Sequence, residues 1–288
     1  MIKLEDTEVV GWEAAIRGMR NPMNSWEKSD SRKCGTCGDC EICIDYNDCP
    51  FDHDGQKFII GPNDLSLMTS LRNAGTDHRK FMRAITVYVD ITAPLYWWKE
   101  FDTYKVGTVA NSCSTMHKIH EKEFTLDDFS CEHLIGEPRF VTDSKTPGIF
   151  GPTQEFNTSS VGILRITCDA LNFWRNKYLV ALKTEPEIST GLSAKDIWWQ
   201  MIQLLPSSYN QRRTVMLNYE VLANIYNSRK DHKLDEWAES RGSESCRPSY
   251  GFTSFCDWIK TLPYSERIIG NEMGAVSVLN YYEEENTK

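Results

Sequence analysis

The spacing of apolar positions changes period along this chain, and each change predicts an element. Residues 2–10 (Ile-Lys-Leu-Glu-Asp-Thr-Glu-Val-Val) read as a strand and residues 12–19 as a short helix. Asn63 is placed to cap a helix in which Leu67, Met68 and Leu71 recur at helical spacing, with Gly75 as its stop. Residues 85–91 (Ile-Thr-Val-Tyr-Val-Asp-Ile) alternate and are β-branched, as a strand requires. Thr92 is then set to cap a helix of about three turns, with Pro94 in its first turn and Gly107 at its end.

Residues 120–160 are polar and predict no clear element. Three helices follow, over residues 168–183, from Ser193 (with Asp196 three residues on) to Pro206, and over residues 211–229. On the last of these, Asn218, Leu222, Ile225 and Arg229 fall on one face, since eleven residues make about three turns. The acidic residues 283–286 read as a frayed tail. No internal repeat or long low-complexity linker is present. The expectation is one α+β domain over residues 1–288, with more helix than strand. Within it, residues 21–61 form an insert with few apolar residues and many Cys, Asp, Ser and Gly, longer than loops usually are.

Composition narrows the function. At 288 residues, 40% hydrophobic and 25% charged, the chain is an ordinary globular protein with material for a sizeable core. A net charge of −9 argues against a grip on a nucleic-acid polymer, because no basic stripe is available to release counterions. It leaves room for a local anion pocket that holds one nucleotide. No apolar run approaches the roughly 20 residues of a membrane span. The opening Met-Ile-Lys-Leu-Glu-Asp lacks a signal-peptide layout, so a cytoplasmic protein is expected.

Ten cysteines are many, and five of them (Cys34, Cys37, Cys40, Cys43 and Cys49) fall within 16 residues. Cys113, Cys131, Cys168, Cys246 and Cys256 are scattered. The cluster has thiolates enough for tetrahedral zinc. Its first three members also match the C-x2-C-x2-C start of an iron–sulfur site, with Cys43 or Cys49 as fourth ligand. A metal-free thiol loop is the alternative, and His53 reads as solvated. There is no P-loop, no dinucleotide G-x-G-x-x-G and no H-E-x-x-H.

The richest segment is residues 99–117, Lys-Glu-Phe-Asp-Thr-Tyr-Lys-Val-Gly-Thr-Val-Ala-Asn-Ser-Cys-Ser-Thr-Met-His, which sets small polar side chains at short intervals. It resembles the motif R-Q-W-x-R-H-R-x-x-S-x-N-E-x-S-x-R-Y of the flavin-dependent thymidylate synthases (ThyX). Lys99, Glu100 and Phe101 stand for Arg-Gln-Trp, and Thr103, Tyr104 and Lys105 for Arg-His-Arg. Thr108 takes the place of Ser, Ala110 of Asn, Asn111 of Glu and Cys113 of the second Ser. Thr115 and Met116 occupy the Arg-Tyr positions. Ala74-Gly75-Thr76-Asp77-His78-Arg79 resembles the family's Gly-His turn. Leu204-Leu205-Pro206, Thr214, Asn218, Leu222 and Arg229 resemble its "LP…T…N-x-R-x-L…R" segment, with Glu220 where the family has Arg. The resemblance spans residues 60–240, and the Cys-rich insert has no counterpart in it.

The resemblance implies a helix-rich mixed α/β subunit of a homotetramer that binds FAD and dUMP between subunits. Carbon from methylene-tetrahydrofolate would reach C5 of the pyrimidine, with the flavin passing a hydride. It assigns His78, Arg79, Thr103, Tyr104, Lys105 and Asn218 to the cofactor. Lys99, Glu100, Thr108, Asn111, Cys113 and Arg229 go to the nucleotide, with Asn111, Cys113 and Arg229 as catalytic candidates. Physical chemistry asks for the same kinds of group. Phosphates need cations or helix N-termini, which Lys99, Lys105 and Arg229 can serve, with Arg79 or Arg83 adding to them. Charge developing on a pyrimidine oxygen needs fixed donors.

Lysine does not reproduce arginine's bidentate fork, and Thr103 and Thr115 carry no charge at all. Other readings therefore stand beside the enzyme. Trp97, Phe101 and Tyr104 form a stripe that buries well without a ligand. Cys113 is either a structural thiol or a nucleophile with His117 or His120 as base. The whole chain is alternatively a non-catalytic nucleotide-binding or oligomeric protein that keeps the fold, or a metal or redox protein centred on the cysteines.

Overall fold

The computed structural model describes residues 2–33, 58–136, 159–183, 191–239 and 254–269. The Cys34–Cys49 cluster, His53, Cys246 and the acidic residues 283–286 lie outside the described residues. The first strand and helix form where the pattern places them, as β1 (Lys3–Val10) and α1 (Trp12–Arg20). A two-residue ribbon follows, in which β2 (Arg32–Lys33) pairs antiparallel with β3 (Phe58–Ile59).

Helix α2 (Pro62–Asn73) is not capped by Asn63. Its N-cap is Gly61, and the cap side chain comes from Asp30, which accepts from the Asn63 and Asp64 N–H groups at 2.8 and 3.0 Å. Asp30 sits so close that a Cβ on Gly61 would lie 2.2 Å from its Cγ. A cap supplied by a distant segment leaves no local signature in the sequence.

Strand β4 (Thr86–Pro94) runs beyond the expected 85–91. Val87, Val89, Ile91 and Ala93 are all buried, so period-two burial carries the strand through Thr92, the residue expected to cap a helix. Helix α3 (Leu95–Phe101) is consequently only seven residues long and ends well before Gly107. Strand β5 (Val109–Ser112) then forms where a loop was expected.

Helix α4 (Ser160–Ala181) begins at Ser160 instead of Cys168, because the Ser159 hydroxyl caps it by accepting from the Gly162 N–H at 3.0 Å. Helix α5 (Ala194–Leu204) starts at the expected Ser193–Asp196 capping box. The long helix expected over residues 211–229 is instead strand β6 (Asn210–Asn218) followed by helix α6 (Tyr219–Arg229). Gln211, Val215 and Leu217 are buried with less buried neighbours between, a period of two within a segment that also fits a helical face. Asn218 ends the strand and caps the helix, its side chain accepting from the Val221 N–H at 3.1 Å. Two further helices, α7 (Phe255–Thr261) and α8 (Ser265–Ile268), follow. The main sheet has the order β1-β4-β6-β5, so the α+β expectation with helix in excess holds.

The chain divides into two units. One comprises Met1–Lys3, Asp90–Thr103 and Ala110–Thr214. In it α4 packs on α5 around Ile119, Phe124, Phe129, Leu164, Cys168, Leu171 and Met201. Trp97 and Phe101 of the expected stripe are buried, with Trp98 beside them and ring centroids 4.9–5.3 Å apart, whereas Tyr104, beyond the end of α3, is only half-buried. The other unit comprises Leu4–Val89, Tyr104–Val109 and Val215–Lys288. Its α6 buries Leu222, Ala223, Ile225 and Tyr226 and packs on α7. Trp12 meets Tyr219 and Tyr264 edge-on at 5.2 and 5.6 Å. No helix among the described residues is long and apolar enough to cross a membrane.

Candidate functional site

Within the second unit, residues 104–108 lie against α6. The Tyr104 hydroxyl accepts from Arg229 Nε at 2.9 Å. The guanidinium of Arg229 stands 5.7 Å from the Tyr104 ring and 5.2 Å from the Trp237 ring, so two aromatic faces hold it by cation–π attraction. Arg229 Nη1 is also 2.9 Å from His232 Nε2, while His232 Nδ1 accepts from the Leu234 N–H at 3.2 Å. Both ring nitrogens face donors, and a neutral imidazole has one lone pair to offer them.

Gly107 adopts φ 76, a left-handed conformation that favours glycine, and a Cβ there would lie 2.6 Å from Asn218 Nδ2. The loop thus approaches the side chain that caps α6. Thr108 Oγ1 next to it is buried and has no hydrogen-bond partner among the described residues.

The first turn of α6 carries Glu220, which binds Arg83 through both carboxylate oxygens and lies 3.5 Å from Arg79 Nε. The charge at this position is inverted relative to the family motif, and guanidinium groups reach it from residues 79–83 instead. Arg79 has weak company, with Nη2 3.5 Å from Asn224 Oδ1. His78 is exposed at the start of the turn that carries Arg79, and Lys105 is exposed in the motif loop.

The remaining site candidates belong to the first unit. Lys99 is exposed on α3, and Glu100 is half-buried with its carbonyl accepting from the Thr103 hydroxyl at 2.7 Å. Asn111 is exposed on β5. Cys113, just after it, is tied down by its backbone alone. Its N–H donates to the Arg212 carbonyl at 2.9 Å and its carbonyl accepts from Gln211 Nε2 at 2.8 Å. His120 packs on Tyr178 at 5.0 Å and His117 is exposed; among the described residues neither hydrogen-bonds Cys113. Within one unit the fold therefore joins Tyr104, Thr108, Asn218 and Arg229. His232 and Trp237 were not anticipated, and only the three-residue step from Arg229 to His232 hints at them.

Burial pushes the thiols of Cys131 and Cys168 upward and that of Cys256 up to about 12, which makes them packing groups. Cys113 alone of the four described cysteines is exposed. Brief alkylation of the native protein followed by peptide mass mapping is expected to label Cys113 well before these three. Equal labelling would contradict the burial. Among the described residues no group of three or more His, Cys, Asp or Glu side chains is placed to hold a metal ion.

No family model matches the chain, and no curated protein matches it by sequence. Among solved structures, the chain is similar to thymidylate synthase X from Helicobacter pylori, crystallised with FAD and dUMP. The TM-score is 0.51 at 14% identity, over 94% of this chain and 98% of that one. The fold is ThyX-like. A second structure of the H. pylori flavin-dependent enzyme with FAD and dUMP gives a TM-score of 0.49 at 14% identity over 94% and 98% of the two chains. The UMP/dUMP methylase PolB from Streptomyces cacaoi, bound with 5-Br dUMP, gives 0.43 at 15% identity over 96% and 97%. On this ThyX-like fold the motif segment contributes the end of α3, the loop at Tyr104–Thr108 and strand β5.

Proposed function

We propose that this chain is a divergent ThyX-like enzyme that transfers a one-carbon unit to C5 of a pyrimidine deoxynucleotide, dUMP by default. FAD is its redox cofactor and methylene-tetrahydrofolate its carbon donor, and it works as a cytoplasmic homotetramer. The observation that carries this reading is the Tyr104–Arg229 hydrogen bond. It joins Tyr104, which stands where the family motif has His, to Arg229, which keeps the family's Arg, across 125 residues of sequence.

The residues present suit a polar aromatic ligand. The buried Thr108 hydroxyl lacks a partner among the described residues, and Arg229 is half-buried between two rings. FAD would be held by His78, Arg79, Thr103, Tyr104, Lys105 and Asn218, and when bound it supplies the hydride chemistry. The protein's own part is electrostatic. Lys99 and Lys105 offer point charges for phosphate. Carbon–carbon bond formation at C5 places negative charge on O2 or O4 of the base, and Arg229 is the donor held rigidly enough to meet it. Tyr104 orients that guanidinium, and the loop at Gly107 packs closely against the Asn218 side chain.

A second reading follows from the ion pairs at Glu220. With Arg79 and Arg83 turned to Glu220 and no charge at Thr103 or Thr115, the protein instead binds a nucleotide without catalysis. The purified protein is expected to retain FAD, to melt at higher temperature with dUMP, and to release tritium from dUMP labelled at C5. Stabilisation by dUMP without FAD retention or turnover would select the non-catalytic reading. No response to either ligand would remove both.

A further inference from the structure

Away from these residues, a cavity of about 380 Å³ opens in the second unit beside α1. Glu13, Ile16, Arg17 and Arg20 reach it from one face of that helix, at steps of three and four residues. The turn after α1 adds Trp26, Ser29 and Ser31, and the β2–β3 ribbon adds Arg32 and Phe58.

Three guanidinium groups line this space in a chain whose net charge is −9. Arg17 and Arg32 make no ion pair or hydrogen bond with the described residues. Arg20 is buried, its side chain only 5% exposed. Its Nε is committed to Asp64 at 2.6 Å and its Nη1 to the Ser25 carbonyl at 3.3 Å, which leaves Nη2 for the cavity. Two guanidinium groups without a partner among the described residues, beside Nη2 of a third, offer the donors a phosphate or carboxylate requires, and outnumber the one carboxylate on the lining, Glu13.

The same lining carries aromatic and apolar side chains. Trp26 is 49% exposed, an unusual position for so large a ring, and its indole N–H is fixed by Asn21 Oδ1 at 2.8 Å. The ring is a preset platform with Phe58 and Ile16 nearby on the lining. Small-molecule pockets run from about 300 to 1,000 Å³, so this one is of single-ring size and too small for a dinucleotide such as FAD.

We propose that the cavity beside α1 binds a small aromatic anion, one ring whose substituent ends in a phosphate or a carboxylate. The ring lies on Trp26, and the anionic group meets Arg17, Arg32 and Nη2 of Arg20. The site is separate in residues from the one built on Tyr104 and Arg229 and does not depend on the function proposed for that site.

Calorimetric titration of the full-length protein with UMP, with 4-aminobenzoylglutamate and with inorganic phosphate tests it. One of the ring-bearing probes is expected to bind, and phosphate alone to bind at least tenfold more weakly. The choice between UMP and the carboxylate identifies the source of the anion. Arg17→Ala and Arg32→Ala are each expected to weaken that binding about tenfold, the loss of one charge-assisted contact. Both residues are exposed, so the variants should melt like the parent. Arg229→Ala should leave this binding intact, whereas dUMP binding at the other site should survive in Arg17→Ala. Absence of binding by both ring-bearing probes overturns the proposal. So does binding unmoved by both cavity variants, or phosphate binding as tight as that of the ring-bearing probes.

Discussion

Asp64→Ala is expected to destabilise the protein by about 3–5 kcal/mol, the usual cost of breaking a buried ion pair from one side. The Asp64 carboxylate is fully buried and accepts from Arg20 Nε at 2.6 Å, Ser29 Oγ at 2.7 Å and Ser31 Oγ at 2.6 Å. The N–H groups of Asp30 and Ser31 add bonds of 3.2 and 3.1 Å. Removing it leaves the buried Arg20 charge without its counter-ion and frees the turn whose Asp30 caps α2. Urea unfolding measures the loss, and a value below about 1 kcal/mol would mean that water reaches Arg20.

The pH dependence follows from the same contacts. Burial pushes the Asp64 carboxyl upward, but the bonds from Ser31, Ser29 and Arg20 together outweigh it and hold the group below the usual carboxylate range. A depressed acid contributes stability above its unfolded value of about 3.9 and loses it as the pH falls through the lower folded value. The difference between parent and Asp64→Ala should therefore be constant near neutrality and shrink below about pH 4.

Arg229→Ala is expected to lower turnover of dUMP by about 100-fold or more, the size of effect seen when a fixed donor to a developing oxyanion is removed. Arg229→Lys keeps the charge but neither the fork nor the flat face between Tyr104 and Trp237, and should recover little of the loss. Tyr104→Phe removes one hydrogen bond and leaves the ring, so a reduction of about tenfold is expected. Tritium release and thermal shift with dUMP read these effects, and circular dichroism checks the fold. Undiminished turnover and dUMP affinity in Arg229→Ala would dismiss Arg229 as the donor.

Elements with a strong local rule were legible in the sequence. Ser193 and Asp196 form their capping box, and the strand expected over residues 85–91 forms as Thr86–Pro94, because capping and β-branched alternation act over a few residues. Residues 211–229 carry two patterns at once, Asn218, Leu222, Ile225 and Arg229 on a helical face and Gln211, Val215 and Leu217 at a strand's period. Burial of β6 in the sheet decided between them. The cap on α2 is likewise hidden from the local sequence, since Asp30 reaches it from outside the helix.

The sequence by itself determined the order of the motif positions, the aromatic packing of α3 and the excess of helix, all of which depend on spacing along the chain. Only the tertiary structure decided which charges meet. It set Tyr104, His232 and Trp237 around Arg229, turned Arg79 and Arg83 toward Glu220, and left Arg17 and Arg32 beside a cavity. Pairing of charged groups depends on distance in space, and apart from the three-residue step to His232 the partners of Arg229 and Glu220 stand too far apart in the chain, 125 residues for Tyr104 and 137 for Arg83, for sequence spacing to report proximity.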